Sequence, residues 1–170
     1  VNMILDIELP QLCNVDLGNI RKIKTLLAIL ASNVPMMVDI SKLSALSSIT
    51  RTTLLSYLQH LERAKLIKLL YADETSIKKM QKPDKILIEN SNFLYSLSPK
   101  SVNQGTIREV FFCNQVGYHH QVEYSKSGDF LIDSTYTFEI GGKSKDGKQI
   151  ANKANAYIAA DNIEYAYGNK

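Results

Sequence analysis

Two periodicities divide the chain. Between Gly18 and Asn33 apolar residues recur at three- and four-residue steps (Ile20, Ile23, Leu26, Leu27, Leu30), the spacing of one buried helix face, and Asn33-Val34-Pro35 ends the run. Met36-Met37-Val38 reads as a short β run. Asp39 stands where it would cap a helix over Ile40 to Leu46, Ser47-Ser48 breaks that helix, and a second one runs from about Thr50 to Ala64 with Leu54, Leu55, Leu58 and Leu61 on its apolar stripe. Leu66 to Tyr71 and Lys85 to Glu89 read as strands on either side of a polar tip, Ala72 to Lys82, and Asn90 to Leu97 reads as a short helix or turn. Helix, short strand, helix, tight turn, helix and a two-stranded wing is the order of a winged helix-turn-helix.

The second half turns to period two. After a Ser/Pro/Gly/Asn loop over Ser98 to Gly105, helical spacing returns from Thr106 to Val116, and a strand is expected at about Gln121 to Tyr124. Apolar and polar residues then alternate from Asp129 to Asp133 and from Tyr136 to Ile140, with Ser134-Thr135 between them as turn formers. A reversal centred on Ser134 places Asp129 opposite Glu139, with Cβ atoms roughly 4.5–5.5 Å apart, near enough for both carboxylates to hold one hard cation such as Mg²⁺. Downstream Lys143 is then the cation that steadies an attacking water or a phosphoryl oxygen. The same residues also fit a plain hairpin with solvated acids and a Gly141-Gly142 turn. A helix from about Asp146 to Ala160 and a last strand near Ile163 to Tyr167 complete a small α/β-type module.

Composition adds limits. With 170 residues and 45% apolar content the chain suffices for one domain or two small ones, and its net charge of +3 permits an anionic partner without forming a strongly basic arm. The basic excess is local: Asp39 to Lys85 holds nine lysines and arginines against five acids. Within it, Arg51, Thr52 and Thr53 open the second helix of the pair, and Lys78, Lys79 and Lys82 lie on the wing, residue types suited to phosphates and bases. The same module also serves protein docking, so DNA and protein partners both stay open. Tyr57 fits either the core rim or a base-stacking platform, and His119-His120 reads as a surface pair. Cys13 and Cys113 are far apart and share no short spacing with histidine, so neither a disulfide framework nor a zinc site is indicated, which fits a reducing, cytoplasmic compartment. No apolar run is long enough to span a bilayer and no leader opens the chain, so no membrane partner is expected. The start at Val1 suggests a piece of a larger protein.

Taken together, the chain resembles the C-terminal region of prokaryotic AAA-type P-loop ATPases, in which a winged helix is followed by a domain of unknown function related to PD-(D/E)xK nucleases. The resemblance spans essentially the whole chain and rests on the order and spacing of Ile40-Ser-Lys-Leu43, Arg51-Thr-Thr-Leu54, Leu61-Glu-Arg-Ala-Lys-Leu-Ile67, Lys82-Pro-Asp-Lys-Ile86, Gly105-Thr-Ile-Arg-Glu-Val-Phe-Phe112, Gly128-Asp-Phe130 and Phe138-Glu-Ile-Gly-Gly-Lys143. It implies an α+β chain: a connecting segment (1–17), a winged helix-turn-helix (18–97) and a small nuclease-like α/β module (98–170), incomplete at its C-terminus, with an upstream ATPase module as partner. No Gly-x-x-x-x-Gly-Lys-Ser/Thr string occurs, so ATP hydrolysis is not expected of these residues. In the nuclease-like pattern Glu109 matches the helix acid, Asp129 and Glu139 the strand acids, and Gly141 stands where the lysine belongs; Gln149 sits where some members carry a polar residue. Lys143 reaches the acids only through a bend at Gly141-Gly142. The favoured expectation is therefore a non-catalytic DNA- or protein-binding module, with no certain cofactor; the alternatives are a Mg²⁺-dependent phosphodiesterase with a displaced lysine, and a structural or oligomerisation module.

Overall fold

Capped helices and two small sheets build an α+β protein. Its structure, a computed structural model, describes residues 1–13, 15–72, 82–97 and 102–169, with Leu12, Cys13 and Leu17 described by their backbone. The described residues fall into two compact units, one from Val1–Leu69 and Lys85–Val102, the other from Leu70–Asp84 and Asn103–Lys170.

The first unit opens with helix where a connecting segment was expected: a π-helical turn, Ile4–Glu8, runs into α1 (Leu9–Cys13). Leu5 and Leu9 are buried, so this segment belongs to the core. α2 (Leu17–Asn33) begins at Asp16, whose carboxylate accepts from the Asn19 N–H at 2.9 Å, satisfying one of the unpaired amides of the first turn. β1 (Met36–Met37) follows, then α3 (Ile40–Ser47), capped by Asp39 through the Lys42 N–H at 3.0 Å. Ser48, at φ 53°, ends α3 in the left-handed conformation and turns the chain into α4 (Arg51–Arg63). β2 (Ile67–Leu70), β3 (Lys85–Ile88) and α5 (Ser91–Leu97) complete the series, with sheet order β1-β3-β2. Ile23, Leu26, Leu30, Leu54, Leu58 and Leu61, from the two stripes read in the sequence, are all buried. Residues 73–81 of the expected wing tip, with Lys78 and Lys79, lie outside the described residues.

In the second unit α6 (Gln104–Val116), capped by Asn103 through the Gly105 N–H at 2.7 Å, precedes β4 (Val122–Tyr124), β5 (Phe130–Ile132), β6 (Tyr136–Gly141) and β7 (Ala156–Ala160). The sheet order is β4-β5-β6-β7, antiparallel except for the parallel pair β6/β7. The helix expected over Asp146 to Ala160 does not form: that stretch holds a single 3₁₀ turn, Lys148–Ile150, and then β7. Gly147 (φ 64°) and Asn155 (φ 52°) leave the right-handed helical region at both ends of it. After Asn155 the alanines carry helix propensity, but the ladder from Thr137↔Ala156 to Gly141↔Ala160 prevails, with Ala156 and Ile158 buried. The strand expected near Ile163 to Tyr167 is also absent; those residues form bends and irregular backbone between Asn162 (φ 56°) and Gly168 (φ 56°).

Candidate functional site

The acids come together through the register of the β5/β6 hairpin. Asp133 (φ 49°) and Ser134 (φ 52°) supply the two positive φ angles of a tight reversal, closed by the Thr135 N–H on the Ile132 carbonyl at 3.0 Å. The ladder pairs Ile132 with Tyr136 and Phe130 with Phe138 and ends there, so Asp129 lies in the bend just before β5, beside the end of the ladder that leads to Glu139. Two hydrogen bonds hold that end. The Asp129 N–H donates to the Phe138 carbonyl at 2.8 Å, and the Ile140 N–H donates to Asp129 Oδ2 at 2.6 Å.

Glu139 is 1% exposed. Its Oε1 lies 2.9 Å from Nζ of Lys145, and its Oε2 is buried with no hydrogen-bond partner. The hydrogen bond to Glu139 raises the Lys145 ammonium above its ordinary range against the opposing effect of burial, and the charges of Glu139, Asp129 and Glu109 add to the rise. Lys145 therefore stays protonated at neutral pH amid three acids.

Gly141 explains how a lysine six positions after Glu139 reaches it. A Cβ at Gly141 would fall 2.7 Å from Cβ and Cγ of Lys145, so the aliphatic stem lies in the space a side chain there would fill. Lys143, the lysine expected at the acids, is exposed on a turn, and Gln149 is exposed on the 3₁₀ turn. Glu109, half-buried on α6, is brought within electrostatic range of Lys145. The overlooked residue is thus Lys145. Its signal was a glycine inside a strand, which often marks close approach by another group. Among the described residues no group of three or more His, Cys, Asp or Glu side chains is placed to hold a metal by itself.

The basic surface of the first unit has a different character. Arg51 and Thr52 are exposed at the start of α4, Lys82 is exposed, and Thr53 is half-buried with its hydroxyl 2.9 Å from that of Thr50. Tyr57 is buried and belongs to the core. Burial and the neighbouring Arg63 lower the pKa of His60, which lies 3.3 Å from the Ser56 hydroxyl and is neutral at pH 7. In the second unit, His120 Nδ1 sits 2.6 Å from Asp133 Oδ2, a contact that anchors the hairpin turn.

Comparison with known protein families, curated proteins and solved structures finds no match for this chain. Among the described residues no helix is long and apolar enough to cross a membrane.

Proposed function

We propose that the protein acts on nucleic acid, with a winged helix in its first unit that contacts DNA through the start of α4. In its second unit we assign a divalent-metal-dependent phosphodiesterase site of PD-(D/E)xK type, built from Glu109, Asp129, Glu139 and Lys145. The helix order and the β1-β3-β2 sheet support the first part. A helix, an antiparallel meander and a return to parallel β7 support the second. Attachment to an upstream AAA-type ATPase module belongs to the same proposal.

The observation that carries it is the Lys145 ammonium 2.9 Å from a carboxylate that is 1% exposed. A buried carboxylate is retained at high cost unless it is neutralised. Lys145 offsets one carboxylate charge there, and a divalent cation would offset further negative charge on Asp129 and Glu139. The orphaned Glu139 Oε2, with Asp129 in electrostatic range of the same lysine, suits a hard ion of the Mg²⁺ type, which takes one or two carboxylates and completes its shell with water and phosphate oxygens. Asp129 and Glu139 would be its direct ligands and Glu109 would act through water. A cation held there would polarise a phosphoryl oxygen and acidify a bound water. Lys145 holds a fixed positive charge where negative charge grows on the phosphoryl oxygens, and Glu139 keeps it protonated.

A second reading, non-catalytic binding, draws on one observation: Asp129 Oδ2 and Glu139 Oε1 already accept hydrogen bonds from within the chain. Mn²⁺ titration followed by electron paramagnetic resonance separates the two. The phosphodiesterase reading expects one saturable ion per chain, bound at least about tenfold more weakly after Asp129→Ala. Absence of binding up to about 10 mM assigns the protein to non-catalytic binding, since even weak Mg²⁺-type sites fill at that level.

A further inference from the structure

One face of the second unit's sheet carries Phe130, Ile132, Tyr136 and Phe138, since cross-strand partners share a side, and Tyr157 of β7 stands beside Phe138. α6 covers part of this face through Phe112, whose ring centroid lies 5.7 Å from that of Phe130 and 5.2 Å from that of Phe138. Tyr136 and Tyr157 stay 43% and 38% exposed. Beside these rings lies a cavity of about 470 Å³, within the size range of small-molecule sites. Its aromatic wall is continuous: Phe112 meets Phe138, Phe138 meets Tyr157 at 5.6 Å, and Tyr157 meets Tyr136 at 6.3 Å.

The rest of the lining is mostly apolar, with polar side chains from His120, Asp133 and Asn169. Asn169 is spent on the edge of β7, where its amide donates to the Ala156 carbonyl at 3.1 Å and its own carbonyl accepts from the Ile158 N–H at 2.7 Å. Asp133 is spent as well. Its Oδ1 accepts from the Gln121 N–H at 2.9 Å and its Oδ2 holds His120 Nδ1 at 2.6 Å, so the imidazole is fixed in place with Nε2 left for a ligand.

We infer that this cavity binds a small uncharged aromatic molecule bearing a hydroxyl group, a phenol in the simplest case, with its ring against the aromatic wall and its hydroxyl on His120 Nε2. The walls select an uncharged body, because a charge placed among apolar rings loses hydration without gaining a partner. They favour an aromatic ring over a saturated one, since ring–ring contacts add to what area burial alone supplies. The imidazole selects the hydroxyl. A hydroxyl both donates and accepts, so it pairs with Nε2 in either protonation state, whereas a carboxylate needs the imidazolium and an N–H needs the neutral ring. The site uses neither the acids nor a metal, so it stands or falls apart from the phosphodiesterase reading.

Ligand-observed NMR titration of the full chain tests the inference, with 2-naphthol as probe and naphthalene and decahydro-2-naphthol as comparisons. 2-Naphthol is expected to bind, and to bind about three- to tenfold more tightly than its saturated analogue. His120→Leu should weaken 2-naphthol about tenfold while leaving naphthalene unchanged, because only the first loses a hydrogen bond. Tyr157→Ala, at a half-exposed ring, should weaken 2-naphthol about three- to tenfold and decahydro-2-naphthol less, with the circular dichroism spectrum unchanged. Absence of 2-naphthol binding to the wild type up to about 1 mM overturns the inference. So does equal affinity for 2-naphthol and decahydro-2-naphthol, or an equal effect of His120→Leu on 2-naphthol and naphthalene. A dimer in sedimentation that Tyr157→Ala dissociates, with no 2-naphthol bound, overturns it too and puts a second copy on this face.

Discussion

The two units bury different chemistry. In the first the core is aliphatic, built on Ile23, Leu26, Leu30, Leu54, Leu58 and Leu61, and its buried polar residues are Ser47, bonded to the Leu43 carbonyl at 2.7 Å, and Lys85. In the second, Phe112 packs against Phe130 and Phe138, and two carboxylates, Glu123 and Glu139, are also buried. Glu123 accepts from the Ser134 hydroxyl at 2.7 Å and Glu139 takes Lys145. Apart from Lys85 and Glu62, the first core contributes packing, so the residues expected to recognise a partner stand at its surface. A core that holds charge ties stability to the site itself, because each ionised group there depends on its partner.

That contrast is tested most strongly by Leu58→Ala. Leu58 is 1% exposed, and its truncation should lower the unfolding free energy by about 2–5 kcal/mol in a denaturant titration while leaving the Mn²⁺ affinity of the native protein unchanged. A fall in affinity alongside the fall in stability would break the comparison. Lys145→Met should be next in size. It leaves Glu139 buried without its ion pair, at about 1–3 kcal/mol, a range kept below that of a fully buried pair because the lysine side chain is 32% exposed. The double variant Glu139→Gln/Lys145→Met should recover much of that loss. The pH dependence has a definite sign. A lysine raised above 10.5 in the folded state contributes stability that is fully present below that pH and is lost as pH rises through the folded value. The gap between wild type and Lys145→Met should therefore close at strongly alkaline pH, and a constant gap would show that the pair is not its source.

The same contrast explains what was legible in the sequence. The helices of the first unit were readable because an aliphatic stripe and a capping aspartate are local signals, and Asp39 sits where its spacing placed it. The β5/β6 hairpin was readable because period two fixes which residues oppose each other about a turn, as Ile132 opposes Tyr136 and Phe130 opposes Phe138. Lys145 was not, since its contact depends on an atom Gly141 lacks, and a missing side chain has no periodicity. The residues of β7 misled for a related reason: Ala156, Ala159 and Ala160 favour helix in isolation, and only pairing with β6 makes them a strand. Helical residues 1–13 were overlooked because Pro10 reads as a break, although the π-helical turn ahead of α1 carries the helix up to it.

Gly141→Ala is the smaller and more specific probe of the second core. The added methyl would meet Cβ and Cγ of Lys145 at 2.7 Å, so the lysine stem must shift. A stability loss of about 1 kcal/mol is expected, at the lower end for overpacking because the neighbour is a long side chain with room at its far end. Thermal unfolding of Gly141→Ala in wild-type and Lys145→Ala backgrounds checks the cause. The loss should be smaller in the second, as contacting residues couple. Equal losses would place the strain in the backbone.

The smallest effect on stability belongs to Arg51→Ala, and it tests the other half of the comparison. Arg51 is exposed at the first position of α4, away from the core, so its removal should change the unfolding free energy by no more than about 0.5 kcal/mol. If the start of α4 contacts a phosphate backbone, the same variant should weaken binding to duplex DNA of any sequence and lower the slope of log affinity against log salt by about one. Fluorescence anisotropy across a salt series reads both. Lost affinity at unchanged stability is the behaviour of a unit whose recognition lies wholly outside its core. Affinity that persists without salt dependence would move the partner of this surface from DNA to protein, and the aliphatic core beneath it would serve either equally well.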